Sequence, residues 1–454
     1  MYCPFCNVEN PPDAEACCSC GAEFIKTELD LIEEALLLNQ QGKTIDALNK
    51  LDEALKIDPK NADALFNKGS ILEELNQIDE ALKYYDLALN NDPNNAMAIV
   101  AKGNILSDKG LFEEALATFN IAIKADPGYV LAYNAKGILY QKSGMYEKAI
   151  KCYNKAQELN PELDLPWINM GICYTLMGDY ETADGMFERA LYLEPNNASA
   201  WFYKANALSN IEKYDDALKC FDKGIIIDNT KASAWDGRGL TLASLFKWFD
   251  ALESFDRALQ IDPAYYISYN NKGYVYYNLG RFEQALENFD KALEINGEYE
   301  LAWINKGLAL DSLGRFDEAI TCLDRAFELD SENIWVLNRK GFILFSMDRF
   351  DEAIETFDTV LERNADDSYA LSFKGSSYDG LKRYNEAILC FDKVLNIDPS
   401  DSFIWTSKGS ALYSLNSFKD AIACFERALE IDPQNLEAKQ FKELCLEKMA
   451  HENS

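Results

Sequence analysis

The sequence predicts an all-α solenoid built from helix–turn–helix repeats, and three observations predict it. From residue 28 onward the chain repeats itself every 34 residues without one insertion or deletion. Within that period a glycine, an alanine, an aromatic residue and a proline return at fixed offsets. The 454 residues are also 48% hydrophobic and 12% aromatic, too rich in core-forming side chains for a disordered acidic chain. A 34-residue repeat cannot bury an apolar face alone, so the period implies neighbours stacked around one continuous core.

The N-terminal element comes first. Five of the twelve cysteines fall within residues 3–20, as Cys3-Pro4-Phe5-Cys6 and Cys17-Cys18-Ser19-Cys20. Two Cys-x2-Cys knuckles at this separation can bring four thiolates to one tetrahedral point, which a structural zinc ion requires. Asn7 and Gly21 follow the two knuckles and tolerate the left-handed backbone that such turns need. Residues 1–24 resemble a short zinc ribbon of the Cys-Pro-x-Cys type. The expected ligands of one structural zinc are Cys3, Cys6, Cys17 and Cys20, with Cys18 left over. So short a segment needs a staple, and reduced thiolates on zinc suit a cytosolic protein better than disulfides do.

The repeats occupy residues 28–435. Glycine marks the register at Gly69, Gly103, Gly137, Gly171, Gly239, Gly273, Gly307, Gly341, Gly375 and Gly409, with Ala205 in the remaining slot and Ala35 opening the series. Twelve positions later alanine stands in all twelve repeats, from Ala47 to Ala421, and four residues beyond it lies an aromatic in ten of twelve. Small residues at two facing slots let the helices of a repeat approach closely, and the aromatic fills the space between them. Proline closes eight repeats and cannot continue the second helix. Residues 436–450 read as one further first helix without a partner, a solubilising cap, with 451–454 as a tail. This pattern resembles the tetratricopeptide repeat, in which each repeat is a pair of antiparallel helices, A and B. The resemblance implies about twenty-five helices in a right-handed superhelix.

Charge narrows the function. Forty-four Lys and Arg against 76 Asp and Glu leave a net charge of −32, which repels nucleic-acid phosphate and anionic lipid. No apolar run approaches the ~18–20 residues of a membrane span, and Met1-Tyr2-Cys3-Pro4 does not read as a signal peptide. The expected location is cytoplasmic. The single histidine, His451, lies at the far C-terminal end, and no phosphate loop, acidic metal cluster or nucleophile–base pair occurs, so an enzyme is not expected.

A lysine precedes the register glycine at Lys68, Lys102, Lys136, Lys204, Lys272, Lys306, Lys340, Lys374 and Lys408, and Arg238 continues the ladder. Eighteen residues after most of these cations stands an acid, such as Asp86, Asp256 or Asp324. Pairing within each helix pair is expected rather than an anion-binding stripe. Cys152, Cys220, Cys322, Cys390 and Cys424 share the slot before the helix-B aromatic and are expected to be buried packing residues.

The expected function is a protein–protein interaction scaffold that holds a peptide or helix in the concave groove. In the family that face is built by the second, fifth, ninth, twelfth and thirteenth places of helix A. Here those places supply Phe66, Phe202, Asn206, Asn270, Tyr274, Tyr277, Asn278, Trp335, Asn338, Phe342, Phe345, Tyr369, Phe403 and Tyr413 as partner-binding candidates. The fifth place holds no basic residue in repeats two to twelve, which argues against the clamp that chaperone-docking members use on a terminal carboxylate. Basic or neutral partners fit the charge. The alternative is a self-associating assembly element in contact through Phe246, Trp248 and Phe249, of which Phe246 and Phe249 sit where a turn glycine and an acidic residue usually stand.

Overall fold

The computed structural model describes residues 26–452, together with Cys6, Val8, Glu9 and residues 18–20. Cys3 and Cys17 lie outside the described residues, and with them the four-thiolate arrangement expected of the ribbon. Twenty-five helices run from Glu28 to Glu452, and no strand interrupts them. No helix among the described residues is long and apolar enough to cross a membrane.

The chain divides into two compact blocks, one ending at Ile227 and one beginning at Asp228. Repeats one to six form the first block. Repeats seven to twelve and the cap helix Leu436–Glu452 form the second. The cap helix runs two residues into the segment read as a tail, because Ala450, His451 and Glu452 include no helix breaker.

Each repeat is built by the same local chemistry. Helix A commonly starts at an Asn or Asp whose side chain accepts an N–H from the first turn, as Asn61, Asn95, Asn197 and Asp367 do. The turn from helix A to helix B always passes through one residue with positive φ. Glycine takes it in six repeats, while Asn76, Glu212, Phe246, Asp348, Lys382 and Asn416 take it in the others. Helix A is also tied to the preceding turn: the indole N–H groups of Trp201, Trp303 and Trp405 donate to the carbonyls of Pro195, Gly297 and Pro399 at 2.9, 2.9 and 3.0 Å.

Inside each pair the conserved-size slots meet as predicted. A β-carbon on Gly103 would lie 2.5 Å from Cε1 of Phe119, and one on Gly137 would lie 2.4 Å from Cε1 of Tyr153. Those rings and the alanines four residues before them are fully buried. The phenols remain satisfied: Tyr85 donates to Glu73 Oε2 at 2.6 Å and Tyr153 to Gln141 Oε1 at 2.8 Å. Burial pushes the ionisation of both well above the ordinary tyrosine range.

The lysine ladder corrects the expected pairing. Each lysine except Lys136 meets the acid sixteen residues before it, on helix B of the preceding repeat, not the one eighteen residues after it. Lys102 Nζ lies 2.6 Å from Asp86, Lys306 2.6 Å from Asp290, and Lys408 2.5 Å from Asp392. Lys68–Asp52 and Lys374–Asp358 are joined alike, and Lys442 of the cap reaches Glu426 at 2.8 Å. The reason is geometric: this slot of helix A faces back across the junction between repeats. Lys136 meets Asn120 at 2.7 Å, and Lys204 holds both Glu188 and Asp184.

Candidate functional site

The partner-binding candidates sort into three environments. Asn206, Tyr274, Asn278, Trp335, Tyr369 and Phe403 are exposed. Phe66, Phe202, Tyr277, Asn338, Phe342, Phe345 and Tyr413 are half-buried, and Asn270 is buried.

Most of the half-buried rings brace helices. Phe66 lies 5.8 Å from the Tyr85 ring, and Phe202 is seated on Gly224, whose missing side chain makes room for it. Tyr277 packs 5.5 Å from Phe282, and Tyr413 stands between Phe418 and Phe441 at 5.7 and 5.6 Å. Phe342, Phe345 and Tyr369 converge on Phe373 at centroid distances of 5.2, 5.4 and 4.7 Å. Phe373 was not among the expected residues. Its slot holds small or polar residues in most repeats, so an aromatic there was the available signal. Arg339 occupies the same slot one repeat earlier, paired with Asp311 and lying over the Phe342 ring at 5.4 Å.

The fifth helix-A place is largely internal, which corrects Asn270 as a groove residue. Asn305 Nδ2 donates to Asn270 Oδ1 at 2.9 Å, and Asn169 Nδ2 donates to Asn134 Oδ1 at the same distance. Asp236 accepts from Ser268 Oγ at 2.6 Å and from Asn271 Nδ2 at 3.1 Å. Burial raises the Asp236 carboxyl above the usual aspartate range, and these two donors oppose the rise. This slot therefore hydrogen-bonds successive A helices to one another. Asn338 reaches Asp367 only at 3.4 Å.

What remains exposed forms an ordered run. Leu301, Trp335, Tyr369 and Phe403 occupy the same place, the second of helix A, in four successive repeats of the second block. Their exposures of 52%, 50%, 42% and 64% make a ridge of apolar side chains carried by a braced layer. Leu301 was missed because only aromatic side chains were sought at this place. Tyr274 and Asn278 lie on a neighbouring helix A, where Asn278 Nδ2 is turned back onto the Tyr274 carbonyl at 2.8 Å.

The first block carries a cleft of different chemistry. Its volume is about 570 Å³, and Tyr192, Trp201, Lys204, Lys219, Lys223 and Cys220 contribute to its walls. Lys223 lies over the Trp201 ring at 4.4 Å, and acids take up Lys204 and Lys219. Of the five cysteines that share one slot, Cys220, Cys322, Cys390 and Cys424 are buried and Cys152 is half-buried; burial pushes the Cys322 thiol up to about 11, against thiolate chemistry. Cys6, Cys18 and Cys20 are exposed. Among the described residues, no group of three or more His, Cys, Asp or Glu side chains could hold a metal ion.

The alternative patch stands at the turn between Ala232–Ser244 and Trp248–Ile261. Phe246 and Phe249 are 76% and 70% exposed, while Trp248 is half-buried with its ring 5.5 Å from Phe246 in an edge contact.

Family models described as tetratricopeptide repeat match residues 32–96, 98–129, 130–163, 167–199, 186–219, 266–299, 312–376, 369–401 and 402–435, together well over half of the chain. No curated protein sequence matches it. Among solved structures, the chain is similar to YrrB, described as a TPR protein with an unusual peptide-binding site. That match has 26% identity, covers 40% of this chain and 95% of YrrB, and has a TM-score of 0.34. A tetratricopeptide repeat protein from Parabacteroides merdae is 20% identical over 55% of this chain and 98% of that one, with a TM-score of 0.43. The APC/C hetero-tetramer Cut9–Hcn1 matches at 15% identity over 93% of this chain and 97% of that one, with a TM-score of 0.43.

Proposed function

The chain belongs to the tetratricopeptide repeat family, and from that premise we propose that it is a non-enzymatic scaffold whose helix-A face in the second block holds a peptide or helix of a partner protein. The observation that carries this reading is the ridge of Leu301, Trp335, Tyr369 and Phe403. Apolar side chains aligned at one place over four repeats, at this exposure, offer a partner apolar area whose removal from water is favourable. Aromatic anchors spaced by one repeat suit an amphipathic helix or an extended segment with apolar side chains at regular intervals.

Panning a displayed random-peptide library against the purified protein tests the reading. Enriched peptides should carry spaced apolar anchors, and the Trp335→Ala, Tyr369→Ala and Phe403→Ala triple variant should lose them while its helical circular dichroism is unchanged. Equal enrichment on the folded triple variant overturns it.

The same reading includes one structural zinc held by Cys3, Cys6, Cys17 and Cys20, supported by their spacing. The purified protein should contain one equivalent of zinc by elemental analysis. Cys3→Ser combined with Cys20→Ser should remove it, and metal-free wild type overturns the assignment.

A further inference from the structure

The A–B turns of the second block carry a row of arginines, and one of them differs from the rest. In repeat ten, Arg349 is neutralised twice. Its Nη1 lies 2.8 Å from Asp317 on the preceding repeat, and its Nε and Nη2 donate to the two oxygens of Glu352 at 2.7 and 2.6 Å. Arg315 forms the same fork on Glu318, and Arg383 binds Glu386. Arg281 occupies this slot in repeat eight. There the place of Glu352 is taken by Gln284, and the place of Asp317 by Phe249. Both acids are replaced, and among the described residues Arg281 has no ion-pair partner. Lys247, in the same slot of repeat seven, likewise has none among them.

The apolar substitutions fall at the same spot. Phe249 stands where Arg349 finds its acid, and Phe246 occupies the left-handed turn position at φ 58°. Elsewhere glycine, Asn, Asp, Glu or Lys holds that position, and every residue there but glycine carries the cost of a β-carbon at positive φ. Loss of two carboxylates and gain of two exposed phenyl rings at one turn edge is a local reversal of surface chemistry on a chain of net charge −32.

We propose that this edge of repeats seven and eight docks a protein segment in which an apolar side chain is followed closely by a carboxylate. The apolar side chain lies against Phe246 and Phe249. The carboxylate takes the fork of Arg281 that Glu352 and Asp317 fill on Arg349, with Lys247 as a second cation. An acidic partner departs from the basic or neutral one expected from net charge, because recognition at contact distance follows the nearest cations rather than the total. The site is separate from the helix-A ridge and does not depend on it.

The probe is a fluorescein-labelled peptide of alternating aspartate and leucine, with an asparagine–leucine peptide as control, read by fluorescence anisotropy on the full chain. The wild type should bind the aspartate peptide at least tenfold more tightly than the control. Phe249→Asp combined with Gln284→Glu rebuilds the neutralised turn of repeat ten and should weaken binding tenfold or more with an unchanged melting temperature. Arg281→Gln should do the same, whereas the Trp335→Ala, Tyr369→Ala and Phe403→Ala variant should bind as wild type. Four results overturn the proposal: equal binding of the two peptides, wild-type affinity in the rebuilt-turn variant, loss of binding in the helix-A triple variant, or a wild-type dimer in sedimentation velocity that the rebuilt turn converts to monomer. The last would assign the patch to a second copy.

Discussion

Repeats six and eight solve one packing problem with the glycine on opposite helices. In repeat eight it lies on helix A: a β-carbon on Gly273 would sit 2.5 Å from Cε1 of Phe289. In repeat six the same slot holds Ala205, and the glycine is on helix B, where a β-carbon on Gly224 would sit 2.4 Å from Cε1 of Phe202. Repeat six thus places a second ring in its interface, while repeat eight places the amide of Asn270 at the corresponding helix-A position and bonds it to Asn305. The lesson is that a bare α-carbon is placed wherever a ring must lie against the facing helix, and which helix supplies it is free to change.

The largest break of this comparison is Gly273→Val, which drives Phe289 from its seat. We expect a loss of about 3 kcal/mol, read as lost hydrogen-exchange protection across residues 266–299, since a repeat array need not unfold in one step. Gly224→Ala should cost less, about 1 kcal/mol net, because the ring displacement is offset in part by better helix propensity. Adding Phe202→Ile, which copies the Ile168 and Ala190 pairing of repeat five, should make the double variant more stable than Gly224→Ala alone. Equal stability would show that the ring and the glycine are not coupled.

The polar side of the comparison is sharpened by pH. Burial raises the folded-state pKa of Asp236 above its unfolded value, so its contribution is fully present below the unfolded aspartate pKa and is lost as pH rises through the folded one. Asp236→Asn should therefore flatten this component of the pH–stability profile of the second block, measured by denaturant titration from acid to neutral pH. An unchanged difference between variant and wild type over that range would remove Asp236 from the account. The smallest effect belongs to the ladder: Lys306→Met should change stability by ~1 kcal/mol or less, because its partner Asp290 is half in water.

Much of the fold was legible because volume leaves a periodic mark. The bare glycine, the alanine and the ring recur at offsets that only stacked helix pairs require. The lysine pairing was not legible, for a definite reason: Asp86 stands eighteen residues after Lys68 and also sixteen before Lys102. Both readings use the same acids, and only the facing of the helices chooses between them. At the candidate site, Trp335, Tyr369 and Phe403 were readable from their places in helix A. Phe373 and Leu301 were not, because their roles arise from neighbours: Phe373 gathers rings from two helices, and Leu301 matters as one member of a row. Asn270 looked like a contact residue because an amide serves equally on a surface and in a buried bond.

The junction-spanning ion pairs also carry a rule of joinery. Most repeats present an acid at their trailing side and a cation at their leading side, although repeats three and four carry Asn120 and Asn154 in the acid slot and repeat five carries Met170 in the cation slot. A repeat with a leading cation can follow any repeat with a trailing acid. Duplicating or deleting a block of 34 residues that carries both partners recloses the seam with a matching pair. Lys442 shows the rule at the last seam, where the cap helix meets Glu426 as a full repeat would. A chain joined this way can change length by whole repeats wherever the two sides of the new seam carry an acid and a cation.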